Sequence, residues 1–263
     1  LGEENSNIGD PTAKTIRFNL NREPRFYSWI AFQGGFYEIM SANDGNGAYQ
    51  NDASYGKYSS DELGKLVCDF VIGGNTSRQP AGSSLRTNNY SPTGYLNKKG
   101  VVPGYNVRTS LYYPPFYPWP VIRLAELYLG YAEACVECDD LNPAKTYLNK
   151  VRTRAGIPTV ETSWNGVATL DKNKLREIVR QERTIEFYLE NQTFWDLRRW
   201  KMAEQYFGVK ARGMNILGNT IDGFAQETEV TFERKFNSPA QYLMPIPSTD
   251  INRNVNLVQN PGY

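Results

Sequence analysis

Residues 120–134 read PVIRLAELYLGYAEA and residues 144–158 read AKTYLNKVRTRAGIP. In the first stretch apolar residues run nearly all round: Ile122, Leu124, Leu127, Tyr128, Tyr131, Ala132 and Cys135. One polar stripe remains, Glu126, Gly130, Glu133 and Glu137, at spacings of four, three and four. That is the period of an α-helix, predicted over about 121–138. The second stretch carries an inner stripe of Ala144, Tyr147, Leu148, Val151 and Ala155. Asn142 suits an N-cap, Pro143 suits the first helical position, and Gly156 stops the helix just before Pro158. A helix is predicted over about 142–155. Only a short acidic link, Asp139–Asp140, separates the two, so they form an antiparallel hairpin.

Helical periodicity continues downstream. A third helix is predicted over about 171–190, with Leu175, Ile178, Val179, Glu182, Ile185, Glu186 and Leu189 on its stripe. A fourth is predicted over about 193–206. Beyond it lie glycine-punctuated turns at 208–223, a strand at 230–236 and two proline-rich pieces, YLMPIP at 242–247 and QNPGY at 259–263. Upstream of Trp119 the character differs. Residues 1–118 hold 11 of the 18 tyrosines and read as strands joined by long loops. Residues 25–36, RFYSWIAFQGGF, are rich in strand formers and end on the turn signal Gly34–Gly35. The connections 41–56 and 73–93 are rich in Gly, Asn and Ser. Residues 112–120, YYPPFYPWP, hold four prolines in nine positions and form a stiff, extended lead-in.

Composition excludes several chemistries. The 263 residues include 29 basic and 28 acidic side chains, a net charge of +1, and no histidine. Balanced charge gives no bulk electrostatic attraction to nucleic acid or to an anionic membrane. Without histidine there is no His-based triad and no His metal ligand. No run approaches the 18 or so apolar residues that cross a bilayer. The chain has no initiator Met and no signal-peptide pattern, so it is expected to be the latter half of a larger protein. Cys68, Cys135 and Cys138 are too few and odd in number for a disulfide framework. The C-x-x-C at 135–138 falls inside the first helix, where small apolar fillers are expected.

Two features carry candidate chemistry. Glu182 and Glu186 fall on the apolar stripe of the third helix, and a buried carboxylate is costly unless paired. Arg152, Arg154, Arg183, Arg198 and Arg199 lie on adjoining helices, and guanidinium forks bridge carboxylate oxygens well. A structural ion-pair network is the expectation; an acid/base couple for glycoside hydrolysis is the alternative. The second feature is the aromatic density of the loops. Tyr49, Tyr55, Tyr58, Asn88, Asn89, Tyr90, Tyr112 and Tyr113 combine flat rings with hydroxyl and amide groups, which suits sugar stacking and hydroxyl recognition. The competing reading is that these rings pin long loops onto the core. No phosphate loop, nucleophile elbow or EF-hand spacing is present.

Taken in order, residues 120–134, 144–158, LREIVRQERTIEFYLE at 175–190, DLRRW at 196–200, Pro245–Pro247 and 259–263 resemble the carboxy-terminal half of the SusD/RagB family. EPRFYSWIAFQGG at 23–35 is similar to that family's earlier Asp-Pro-Arg-type segment, with Glu replacing Asp, and TGYLNKK at 93–99 to the segment that follows it. The resemblance implies a mainly α fold, a tetratricopeptide-like α-α superhelix with long loops and a few short β-strands. Residues 1–263 would be one carboxy-terminal unit, with a strand- and loop-rich part at 1–118, a helical scaffold at 119–207 and a turn-rich end at 208–263. It implies a non-catalytic, surface-exposed outer-membrane lipoprotein that binds an oligosaccharide and delivers it to a SusC-like TonB-dependent transporter. Its membrane attachment would be a lipid anchor outside this chain, and it would use no cofactor. The alternative is a tetratricopeptide-like adaptor for a peptide or protein. Family members run to about twice this length, so ligand residues are not carried over by motif.

Overall fold

The computed structural model describes residues 2–4, 14–39, 55–56, 64–78, 90–101, 120–232 and 234–263. In chain order the elements begin with β1 (Gly2–Glu4), β2 (Lys14–Ile16), α1 (Pro24–Trp29), β3 (Ile30–Ala31), β4 (Phe36–Ile39), β5 (Tyr55–Gly56), β6 (Gly64–Val67) and β7 (Leu96–Asn97). The helices α2 (Leu124–Glu137), α3 (Leu141–Arg154), α4 (Val160–Ser163), α5 (Lys172–Glu186), α6 (Gln192–Arg199) and α7 (Ala203–Phe207) follow. The described chain ends with β8 (Arg212–Met214), α8 (Ile221–Phe224), β9 (Glu227–Glu229) and α9 (Ser248–Arg253). The fold is mainly helical. Its strands are short and antiparallel, paired as β1–β2, β3–β7, β4–β6–β5 and β8–β9.

The α2–α3 hairpin packs on α5. Leu129, Ala132 and Val136 of α2 meet Ala144, Leu148 and Val151 of α3, and Leu175, Ile178 and Val179 of α5 close the core from the third side. A second, smaller core gathers Ala31, Cys68, Phe70 and Phe224. Burial of these side chains supplies the main drive for folding, about 25 cal/mol per Å² of apolar surface.

Three helices end in the same way. In the motif, the chain turns into the left-handed region just past the helix, and two N–H groups reach back to otherwise unpaired carbonyls. At α3 the turning residue is Gly156 (φ 73°), and Ile157 N–H donates to the Arg152 carbonyl at 3.1 Å. At α2 it is Asp139 (φ 61°), and at α6 it is Lys201 (φ 60°). Asp140 N–H reaches Cys135 O at 2.9 Å and Met202 N–H reaches Leu197 O at 2.8 Å. The turn at Lys201 splits the fourth helix, expected as one piece over 193–206, into α6 and α7. The third helix stops at Glu186 rather than 190, because Leu189 and Asn191 also adopt positive φ. Pro143 lies in the first turn of α3, where the N–H it lacks would have no intrahelical partner.

Two strand expectations fail. The strand formers of residues 25–36 predict a strand, but α1 occupies Pro24–Trp29, with Pro24 in its opening turn, and only Ile30–Ala31 pair in a sheet. The aromatic content favoured an extended chain locally; Pro24 and the tertiary seat of Arg25 override it. The turn at Gly34–Gly35 is real. Gly34 sits at φ 76°, and a Cβ there would lie 2.4 Å from the Lys14 carbonyl oxygen. The strand expected at 230–236 is displaced upstream to Glu227–Glu229, which pairs with Arg212–Met214.

Candidate functional site

Glu186 is completely buried near the end of α5, and arginines occupy both its carboxylate oxygens. Arg25 Nη1 donates to Oε2 at 2.9 Å, while Arg123 Nη1 (2.6 Å) and Arg154 Nη2 (2.5 Å) donate to Oε1. One turn earlier, Glu182 takes Arg152 Nη1 on Oε2 at 3.0 Å. Its Oε1 lies 2.7 Å from Arg25 Nη1 but off the N–H direction, so that contact is an ion pair without a hydrogen bond. Arg25 completes its fork on Glu23, with Nε and Nη2 at 2.9 and 3.0 Å from the two oxygens. Arg123 forks onto Glu190 at 2.6 and 2.8 Å and also donates to the Glu186 carbonyl at 2.8 Å. Lys99 joins from the β7 side, 2.5 Å from Glu190 Oε1 and 2.7 Å from the Glu186 carbonyl, with its ammonium 4.1 Å from the Trp29 ring centre.

Burial alone would raise the Glu186 pKa. Hydrogen bonds from Arg123 and Arg25 outweigh it and hold the carboxyl below the ordinary glutamate range. Burial pulls the Lys99 ammonium below the usual lysine value despite Glu190. Chemically, the arrangement keeps Glu186 ionised and ties α1, the start of α2, the end of α3 and α5 to one point.

A second cluster sits where α2, α5 and α6 meet. Arg183 forks onto Asp196 at 2.8 and 3.1 Å. Arg199 holds Glu133 with both terminal nitrogens at 2.5 Å and Asp196 with Nε at 2.9 Å. Trp200 Nε1 adds a bond to Glu133 Oε1 at 2.6 Å. Burial would raise the Glu133 pKa; the bonds from Arg199 and Trp200 bring it below the ordinary value.

Of the residues expected in one ion-pair network, the structure brings Arg152, Arg154, Glu182 and Glu186 together. Arg183 and Arg199 lie in the second cluster. Arg198 belongs to neither: its position on α6 turns it toward the Gln241 and Phe194 carbonyls, both at 3.0 Å, with its guanidinium 3.5 Å from the Phe194 ring centre. Sequence reading missed Glu23, Arg25, Lys99, Arg123 and Glu190. Glu-Pro-Arg at 23–25 and Arg123 ahead of an apolar helix were the available signals, but nothing local says where those side chains go.

Beside the first cluster opens a cleft of about 550 Å³, lined by Trp29, Lys99, Arg123, Glu126, Asn191 and Gln192 among others. A second of about 480 Å³ is also lined by Trp29, together with Arg22 and Tyr188. Among the described residues no group of three or more Cys, Asp or Glu is placed to hold a metal ion. Cys135 is buried and Cys138 exposed, so the C-x-x-C does not present two thiols on one surface. No helix among the described residues is long and apolar enough to cross a membrane.

Of the aromatic and amide residues expected to bind ligand, Tyr90 is half-buried, with the Arg78 guanidinium 5.5 Å from its ring centre. Tyr55 pairs with Leu66 through its backbone in β5–β6. Tyr49, Tyr58, Asn88, Asn89, Tyr112 and Tyr113 lie outside the described residues.

The SusD family model matches residues 3–263. The chain belongs to the SusD family. Among its relatives is "SusD-like protein P2" of Formosa agariphila, 30% identical over 145 residues, which are 54% of this chain and 25% of that protein. Two solved structures described as BT4246 superpose with a TM-score of 0.73 at 28% identity, taking in 99% of this chain and 41% or 39% of theirs. A SusD-like protein from Bacteroides fragilis matches with a TM-score of 0.65 at 29% identity, over 93% of this chain and 39% of its own. The chain thus spans a quarter of the curated SusD-like relative and about two-fifths of the solved SusD-like chains. SusD-like proteins are in general carbohydrate-binding partners of TonB-dependent transporters. In this SusD-like scaffold, both ion clusters fall on the segments that carried the resemblance: 23–25, 120–134, 144–158, 175–190 and 196–200.

Proposed function

We propose that these 263 residues are part of a non-catalytic oligosaccharide-binding protein at the outer-membrane surface. They form one carboxy-terminal unit of it, and a lipid anchor outside them attaches the protein to the membrane. It hands its ligand to a SusC-like TonB-dependent transporter. The SusD family match across residues 3–263 carries this reading. The ion clusters support the non-catalytic part. An acid/base pair must exchange protons, whereas Glu182 and Glu186 are buried in ion pairs with Arg25, Arg123, Arg152 and Arg154. Ligand recognition falls to stacked Tyr and Trp rings and polar side chains within residues 36–118, Tyr90 among them.

The test is binding by the complete gene product to a panel of oligosaccharides and a panel of peptides, followed by calorimetry and Tyr/Trp fluorescence. Saturable binding of an oligosaccharide, and co-purification with a TonB-dependent transporter, are expected. Peptide binding with no response to any glycan would instead establish the adaptor reading. Hydrolysis of a bound glycan that disappears in folded E182Q or E186Q protein would make it an enzyme.

A further inference from the structure

The cleft of about 480 Å³ is lined by α1 and α5, and its lining combines two chemistries. Phe26 and Trp29 line it from α1, three positions apart and so on one helix face. Gln181, Ile185 and Tyr188 line it from α5 and the turn after it, at spacings of four and three. Among the described residues neither the Gln181 amide nor the Tyr188 hydroxyl has a hydrogen-bond partner. Burial pushes the Tyr188 pKa above the ordinary tyrosine value, so the hydroxyl keeps a proton to donate. Apolar walls with a few unsatisfied polar groups are the usual make-up of a small-molecule site. Rings beside amide and hydroxyl groups suit a sugar, whose apolar face stacks and whose hydroxyls need partners.

Arg22, in the lining of the same cleft, decides which sugar. Its guanidinium stands 4.8 and 5.3 Å from the Phe18 and Phe26 ring centres, which holds it in place. Among the described residues no carboxylate pairs with it. Its neighbour Glu23 has both oxygens taken by Arg25, at 2.9 and 3.0 Å. The cleft therefore keeps one uncompensated cation with a planar fork. The 550 Å³ cleft differs, because its Lys99 and Arg123 are already paired with Glu190 and Glu186. We propose that the cleft lined by α1 and α5 is a subsite for an acidic sugar residue. The carboxylate or sulfate ester of that residue docks on Arg22, while Gln181 and Tyr188 take its hydroxyls. The subsite lies outside residues 36–118, and it rests on the reading of the protein as a glycan binder.

Calorimetry on the complete gene product tests it. The probes are a trisaccharide bearing a uronate, one bearing a sulfate ester, and the neutral counterpart of each, made by carboxyl reduction or desulfation. One acidic probe should bind about tenfold more tightly than its neutral counterpart, and which one does so names the anion. Arg22→Gln should abolish that preference and leave neutral binding unchanged. Arg22→Lys should retain part of it, since the charge survives without the fork. Gln181→Glu, at an exposed position of α5, should weaken acidic binding by repulsion, and it decides the matter if Arg22→Gln fails to fold by circular dichroism. Equal affinity for acidic and neutral probes overturns the proposal, as does an acidic preference that both folded variants keep. Either result leaves the glycan reading standing, because a glycan still binds. Failure of every oligosaccharide to bind overturns both.

Discussion

Arg25 and Glu186 stand 161 positions apart in the chain and 2.9 Å apart in the fold. Their bond joins the first helix to the end of α5, and three further cations converge within one turn of it. Removing one partner from a buried cluster leaves uncompensated charge, which costs about 3–5 kcal/mol. Glu186→Gln keeps the shape but leaves Arg25, Arg123 and Arg154 facing a neutral amide. A loss of about 3 kcal/mol in urea unfolding is expected. A variant as stable as the parent would show that the cluster contributes little.

The same carboxylates set a pH response. Glu186 and Glu133 have folded-state pKa values below their ordinary ones, through arginine hydrogen bonds that outweigh burial. Such groups contribute stability above the unfolded glutamate pKa of about 4.3 and lose it as pH falls through the folded value. The urea midpoint should therefore be flat from neutral pH down to about 5 and fall steadily below about 4. Glu186→Gln should flatten part of that acid limb. A midpoint that rises on acidification would contradict the assignment.

How much of this was legible beforehand depended on range. The α2–α3 hairpin followed from its period and from Gly156, both local signals. The oddity of Glu182 and Glu186 was also local, since charge on an apolar stripe demands a partner. Which partners answer is a matter of tertiary geometry: Arg25 and Arg123 arrive from 161 and 63 positions away. The helix at the start of residues 25–36 has the same origin. Phe26, Tyr27, Trp29 and Ile30 favour a strand locally, while Pro24 opens a helix whose Arg25 pairs with Glu182 and Glu186. The eight tyrosines and asparagines expected to bind ligand stay a matter of composition alone, because six of them lie outside the described residues.

Arg152 tests the value of a fork. Its three nitrogens reach the Pro158 carbonyl, Glu182 and Ser163 Oγ at 2.8, 3.0 and 2.8 Å. Lysine keeps the charge but cannot satisfy three acceptors in one plane. Arg152→Lys should cost about 2 kcal/mol in thermal or urea unfolding, from lost hydrogen bonds to buried acceptors. Indistinguishable unfolding curves would mean that water replaces the missing bonds.

Lys201 offers the opposite sign. It adopts φ 60°, where a side chain costs about 1 kcal/mol and glycine nothing. Its ammonium, 4.6 Å from the Tyr242 ring centre, returns about 0.5 kcal/mol. Lys201→Gly should thus stabilise the protein by about 0.5 kcal/mol, seen as a small rise in Tm. Destabilisation would show that the contact with Tyr242 outweighs the backbone strain.

Tyr90 is the ligand candidate that can be tested without disturbing the helices. If its ring stacks on a sugar, Tyr90→Ala should weaken oligosaccharide binding about fivefold, equivalent to about 1 kcal/mol of aromatic contact. Calorimetry on the complete gene product, with circular dichroism as the folding control, measures it. Unchanged affinity would return Tyr90 to the role of pinning its loop beside Arg78.

The arginine–glutamate cluster also governs how the chain comes apart. It draws on Glu23 and Arg25 from one part, around the first helix, and on Arg123, Arg152, Glu182 and Glu186 from another, the helices downstream of residue 120. Neither part can melt first without stranding charge in the interior of the other. The two are thermodynamically welded. Heat or denaturant should release them in one cooperative step, and a backbone nick between Arg25 and Arg123 should leave the fragments associated until that step is reached.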